Sequence, residues 1–147
     1  MSIHNQLKKV VGYGTFITEL YYDCYERIPI KPCKVLDYVR ILPKGHPFPY
    51  VLPKQGDAFW ALLFSVTKIQ LDKLDFYEGV DVGIYRRERT QVKLKTQKLI
   101  KAFIYVPTEK TIQEEDLSYE TDKEDRWQDE IKNHPKIVKN FPELVKR

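Results

Sequence analysis

Glu78 ends a stretch, Thr67 to Glu78, in which Leu71 and Leu74 recur at helical spacing, so its carboxyl falls seven and four residues after them on one stripe. A group so placed is aimed inward. It also occupies the last turn, where the negative end of the helix dipole disfavours added negative charge, and burial penalises the ionised form in the same direction. A carboxyl whose pKa is raised toward neutrality can take a proton and give it back, which is the work of a general acid/base. The competing reading is a helix end that turns outward and leaves Glu78 solvated, as holds for most glutamates. A second group of residues, Gly12-Tyr13-Gly14-Thr15-Phe16, suggests an anion cradle. Glycine at a strand end lets successive backbone N–H groups turn toward one point, and such a nest binds negative charge. It is not a dinucleotide fingerprint, because Ile17 stands where the third glycine would fall and no acidic residue follows a second strand at the required distance.

Other chemistry finds little support. His4, His46 and His134 are scattered, and neither a His-Glu-x-x-His nor a Cys-x-x-Cys occurs, so no zinc site is expected. There is no Gly-x-Ser-x-Gly elbow, and neither Cys24 nor Cys33 has an identifiable His partner. The two cysteines read as ordinary thiols and not as a structural disulfide.

The elements that must position Glu78 and the glycine loop can be read along the chain. Lys9 to Tyr13 is a short apolar run that delivers the chain into a tight turn at Gly14. Thr18 to Arg27 has the spacing of a short helix ended by Pro29 and Pro32. Lys34 to Leu42 reads as a strand, after which five residues, Pro43, Gly45, Pro47, Pro49 and Pro53, predict an irregular loop to about Gln55. Asp57 to Val66 is nearly continuous in apolar residues, as expected of a strand buried on both faces. Thr67 and Gln70 form a capping box, and Gly79 supplies the stop of the helix that carries Glu78. Ile84 to Lys95 and Lys98 to Val106 predict a hairpin turning at Thr96-Gln97, with Leu99, Phe103 and Tyr105 on one face and Ile100, Ala102, Ile104 and Val106 on the other. Short helices are expected at Tyr119 to Lys132 and Pro135 to Val145.

The 147 residues, 42% hydrophobic and 13% aromatic, suffice for a substantial core. No run of about 18 apolar residues is present, and the start of the chain lacks the apolar stretch and cleavage site of a secretory signal, so a soluble, cytoplasmic protein with no membrane partner is expected. The net charge of +4 is unevenly spread: residues 1–107 carry 17 Lys+Arg against 10 Asp+Glu, and residues 108–147 carry 8 against 11. A basic body suits a small anionic substrate or nucleic acid, and charge does not choose between them.

The Tyr13-Gly14-Thr15-Phe16 loop after the first strand, then Leu74-Asp75-Phe76-Tyr77-Glu78-Gly79, then Tyr85 and Arg87 opening a strand, together resemble the gamma-glutamylcyclotransferase superfamily, and within it the gamma-glutamylamine cyclotransferase-like branch. That family's pattern is a Tyr-Gly-Thr/Ser-Leu loop, a Leu-Asp-x-x-Glu-Gly helix end and a Tyr-x-Arg strand entry, in this order. Phe16 stands here in place of the usual leucine. The resemblance covers residues 9–107 and implies an α+β fold, a small mixed β-barrel with flanking helices; residues 108–147 lie outside it and, from their charge and helical spacing, are expected to form a charged helical extension packed on that domain. It implies cyclisation of a gamma-glutamyl compound to 5-oxoproline with release of its amine, with no metal or cofactor. Glu78 would be base and then acid, the backbone of Tyr13, Gly14, Thr15 and Phe16 would hold the α-carboxylate or the carbonyl oxygen, and Tyr105 would match a pocket tyrosine, its alternative being plain sheet packing. Tyr85 and Arg87 are expected to orient the loop after Glu78 and not to catalyse.

Two other functions compete: a non-catalytic member of the same fold that binds a small ligand or a partner protein, and a basic nucleic-acid-binding module using Lys93, Lys95, Lys98 and Lys101 near the hairpin turn. Nucleic acid is the least favoured, because lysines of this kind usually form a solvated face or protect an edge.

Overall fold

The computed structural model describes residues 6–20 and 28–146. Five strands, β1 (Lys8–Gly12), β2 (Ile30–Ile41), β3 (Tyr50–Val66), β4 (Tyr85–Leu94) and β5 (Leu99–Pro107), close into a barrel in the order β1-β3-β2-β4-β5. Every neighbouring pair is antiparallel except β1 with β5, which run parallel and meet at Val10 and Phe103. This is the mixed barrel of the expected α+β fold.

Alternation along the strands divides the apolar residues into two layers. One cluster draws on all five strands through Val11, Cys33, Ala61, Val92 and Ile104, and fills the barrel interior. The other takes the intervening residues, among them Val10, Leu62, Phe64 and Tyr105, and packs them under flanking segments. The residues of Asp57 to Val66 therefore serve both layers: from Ala61 to Val66 every one is buried.

Helix α1 (Lys68–Tyr77) forms where the capping box predicts. The Thr67 hydroxyl accepts from the Gln70 N–H at 3.1 Å, and the Gln70 side chain accepts from the Thr67 N–H at 2.8 Å. At the other end Gly79 adopts φ 69°, the Val80 N–H reaches the Asp75 carbonyl and the Gly79 N–H the Phe76 carbonyl, each at 3.0 Å. This is a Schellman motif. An alanine at Gly79 would suffer both from that φ and from a Cβ 2.9 Å from Ile84 Cδ1. Thr67→Ala is expected to cost about 1 kcal/mol, read as a small drop in denaturant midpoint at unchanged m-value.

The structure corrects several boundaries. The irregular loop after β2 ends at Tyr50 and not near Gln55. Pro53 is tolerated in β3 because it pairs with Tyr38 beside a register shift, where Asp37 adopts φ 64° and its carboxylate accepts from the Gly56 N–H at 3.0 Å. β2 begins at Ile30 instead of Lys34, with Pro32 outside the three pairs that join β2 to β4. The expected helix at Thr18 to Arg27 lies largely outside the described residues, and the described part is a π-helical turn, Phe16–Leu20. Cys24 lies outside them as well; Cys33 is a buried free thiol, and burial pushes its pKa up.

Beyond Pro107, helix α2 (Glu109–Glu114) is one the sequence reading missed, started by a Thr108 side chain that accepts from the Thr111 N–H. The helix expected from Tyr119 shortens to α3 (Trp127–Lys132), because the Asp122 carboxylate binds the N–H groups of Leu42, Glu124 and Arg126 and Asp125 adopts φ 52°. Helix α4 (Pro135–Asn140) and a 3₁₀ turn (Pro142–Val145) follow. Leu117, Trp127, Ile131, Ile137, Phe141 and Leu144 all enter the outer core layer. Among the described residues, no helix is long and apolar enough to cross a membrane.

Candidate active site

β1 ends at Gly12 and leads into the glycine loop. A Cβ at Gly12 would come 2.4 Å from Phe64 Cε2, and one at Gly14 would lie 2.8 Å from Pro49 Cδ. Both glycines are required by close approach. The first lets the strand lie against β3, the second lets the proline-rich loop close over the turn.

Tyr13 is tied at both ends. Its hydroxyl donates to the Tyr105 carbonyl at 2.7 Å, and its own carbonyl accepts from Arg40 Nη1 at 2.8 Å. Arg40 is 1% exposed, paired with Asp125 through Nε–Oδ1 at 2.7 Å and Nη2–Oδ2 at 2.8 Å, and its guanidinium lies 4.7 Å from the centre of the Phe59 ring. A two-pronged ion pair supplied from beyond Pro107 thus anchors the loop's backbone from behind.

On the facing side, the end of α1 is held against β4 and β5 by Asp75. One carboxylate oxygen accepts from the Tyr105 hydroxyl at 2.6 Å and the other from Arg87 Nη1 at 2.7 Å. Arg87 and Tyr105 are themselves register partners across β4 and β5. Arg87 is therefore an ion-pair partner, of Asp75 on the helix and not of the loop after Glu78. Asp75 went unassigned in the sequence, although it belongs to the Leu-Asp-x-x-Glu-Gly segment and lies three residues before Glu78, on the same side of the helix. Tyr77 joins α1 to the loop: its ring lies 6.3 Å from that of Phe16.

Between these walls lies a cavity of about 370 Å³. Glu78, Tyr13, Gly14, Thr15, Phe16 and Tyr105 all line it, so the residues singled out in the sequence converge on one hollow. Pro47, Phe48 and Pro49 of the proline-rich loop close another side, and Ile84 and Tyr85 a third. The size suits a small metabolite.

Glu78 is the C-cap of α1 and is partly buried. Burial raises its pKa from the ordinary carboxyl range to about 7. The phenols of Tyr13, Tyr85 and Tyr105 are also shifted upward, first by burial, with the hydrogen bond and charge of Asp75 adding at Tyr105 and the Glu78 charge adding at Tyr85, so all three stay protonated at neutral pH. Two of those hydroxyl protons are already committed, Tyr13 to a carbonyl and Tyr105 to Asp75. Tyr85 stacks on Tyr50, with ring centres 5.9 Å apart and planes at 23°, and its hydroxyl makes no hydrogen bond among the described residues. The sequence reading assigned Tyr85 to loop orientation. The signal that would have promoted it is its place two residues before Arg87 on the same strand face, the face that meets Tyr105 and Asp75.

No three His, Cys, Asp or Glu residues among those described are grouped so as to hold a metal ion. Of the hairpin lysines, Lys95 is paired with Glu143 at 2.7 Å.

The closed five-stranded mixed barrel is the fold of gamma-glutamyl cyclotransferase-like proteins. The sequence pattern described as gamma-glutamyl cyclotransferase, AIG2-like, matches residues 10–129, and the chain belongs to that family. The matched segment runs past Pro107, where the sequence resemblance stopped, and so includes Asp125. Among solved structures the fold is similar to a protein from Arabidopsis thaliana determined in solution, with TM-score 0.69, 21% identity, and 99% of this chain and 86% of that chain covered. It is similar also to a gamma-glutamyl cyclotransferase, with TM-score 0.60, 18% identity, and 70% and 68% of the two chains covered. An AIG2-like protein from Mus musculus matches with TM-score 0.55, 18% identity, and 69% and 78% coverage. A comparison with curated proteins by sequence finds no match.

Proposed function

We propose that this protein cyclises a gamma-glutamyl amine or peptide to 5-oxoproline and releases the amine, with Glu78 as general base and then general acid. The observation that carries the reading is a partly buried carboxyl of pKa about 7 lining the same 370 Å³ cavity as the Tyr13–Phe16 loop. The substrate's α-ammonium releases one proton to water, the freed amine nitrogen attacks the γ-carbonyl carbon, and Glu78 takes the second proton from the ring ammonium so formed as the new C–N bond closes the five-membered ring. Glu78 then returns the proton to the departing nitrogen as the original amide C–N bond breaks. Both half-reactions need a group that is comfortable with and without its proton near pH 7, which an ordinary solvated glutamate is not. The backbone of Tyr13, Gly14, Thr15 and Phe16 holds the α-carboxylate or the developing oxyanion, and the Tyr105 ring forms a wall of the pocket. We read residues 1–107 as the catalytic barrel domain, residues 108–147 as the helical extension packed on it, and the cytoplasm as the place of the reaction.

Incubation with a panel of gamma-glutamyl amines and dipeptides, assayed for 5-oxoproline, tests the reading. Turnover of at least one member is expected, and turnover of none across the panel rejects it. Tyr85 supplies a further phenolic donor facing the cavity, so Tyr85→Phe is expected to lower kcat/KM by about 10-fold to 100-fold at unchanged melting temperature, since no hydrogen bond within the described protein is lost.

A further inference from the structure

We propose that the protein has a second small-molecule site, on the outer face of β2 and β3 under the C-terminal segment, that takes a planar ring bearing an anionic group. A cavity of about 380 Å³, as large as the first, lies there between Lys34, Trp60, Lys123, Asp125, Gln128 and Lys146. Its floor follows from strand alternation. Lys34 and Trp60 are register partners across β2 and β3, while their neighbours Cys33, Val35, Phe59 and Ala61 turn into the barrel. Both therefore project outward, and Ala58, two residues before Trp60 on the same strand face, lines the same cavity.

Three features give the site its ligand chemistry. The half-buried indole offers a flat apolar surface on which a ring can stack. Lys34 Nζ lies 6.0 Å from the indole centre, and neither Lys34 nor Lys146 forms a salt bridge among the described residues. Lys123 is paired only with the exposed Glu120, at 2.8 Å, a contact cheaply exchanged for another anion. Of the two carboxylates in the wall, Asp125 is already neutralised by Arg40, and against the remaining Glu124 the three lysines leave the pocket net basic. The wall also contains Gln128, 3% exposed, whose Nε2 donates to the Lys146 carbonyl while its Oε1, buried, has no partner.

The site abuts the machinery of the first cavity. Asp125 grips Arg40, which holds the Tyr13 carbonyl, and Phe59 meets the Tyr13 ring edge-on at 6.5 Å. Of the residues in the wall of the second cavity, Phe59 thus touches the substrate loop directly and Asp125 reaches it through Arg40.

Isothermal titration of the full chain with adenosine 5′-monophosphate and with indole-3-acetate tests the proposal, with inorganic phosphate and adenosine as single-feature controls. At least one ring-bearing anion is expected to bind with Kd of about 1 mM or tighter. Phosphate alone and adenosine alone should each bind at least tenfold more weakly, and phosphomonoester and carboxylate ligands are told apart by which of the first two binds. Trp60→Ala, and separately Lys34→Gln with Lys146→Gln, should each weaken binding at least tenfold, and the lysine pair, being at the surface, decides the matter where the tryptophan variant fails to fold. Glu78→Gln should leave the affinity unchanged, which separates this site from the first whether or not the cyclisation reading stands. Absence of binding by both ring-bearing anions, an unchanged Kd in the lysine variant, or loss of binding in Glu78→Gln would overturn it.

Discussion

Glu78→Gln is expected to lower 5-oxoproline formation by about 10³-fold or more while making the folded protein more stable above pH 7. The rate loss follows because amide nitrogen and oxygen fill the same space but neither accept a proton from an ammonium nor return one, and acid/base catalysis at a single group is typically worth 10²- to 10⁴-fold. In the wild type, kcat/KM should rise with pH through about 7, since the free enzyme must hold Glu78 ionised. The stability change has the opposite sign to the activity change. Glu78 in the folded protein has a pKa near 7, above the roughly 4.3 of an unfolded glutamate. The folded state thus favours the protonated form, a contribution fully present below pH 4 and lost as pH rises through 7. The glutamine variant never ionises. It should match the wild type at pH 4 and exceed it at pH 8 by roughly 1 to 3 kcal/mol, after allowing for water that still reaches the carboxyl. Chemical denaturation at the two pH values, beside the 5-oxoproline assay, reads both effects. An inactive variant with no stability gain at pH 8 would mean that the carboxyl is solvated and the proton-shuttle reading is wrong.

Asp125→Ala is expected to destabilise the protein by about 3 to 5 kcal/mol, a fall in melting temperature of roughly 10 °C. The alanine leaves the Arg40 guanidinium buried, with the Tyr13 carbonyl and the Phe59 ring as its remaining partners among the described residues. The penalty comes from the stranded charge, so the double replacement Arg40→Met with Asp125→Leu should recover most of the stability. It should not recover activity in the same measure, because the methionine cannot hold the Tyr13 carbonyl. KM for a gamma-glutamyl substrate is expected to rise more than kcat falls, as the loop loses its rear anchor while Glu78 keeps its surroundings. A double variant as unstable as Asp125→Ala would show that the ion pair is not the source of the loss.

Much of the local structure was legible because it rests on short-range physics. The capping box of Thr67 and Gln70, the stop at Gly79 and the hairpin around Thr96-Gln97 each depend on residues within a few positions of one another. The misread stretches have long-range causes. Pro53 sits in a strand because Asp37, sixteen positions earlier, makes the bulge that accommodates it, and the helix expected from Tyr119 is cut short because Asp122 is drawn to the distant Leu42 N–H. Both are side chains satisfying backbone groups that become neighbours only on folding.

The site divides in the same way. Glu78 at an inward helix end and Gly14 after a strand were legible because helical period and glycine's small size are properties of the residues themselves. The importance of Asp75, Arg40 and Asp125 was not, since each acts through a partner 12 to 85 positions away, brought close by barrel closure. The raised pKa of Glu78 belongs with these: period can aim a carboxyl inward, but the loss of hydration that shifts it exists once the loops around Gly14, Pro49 and Tyr85 have closed the cavity over it.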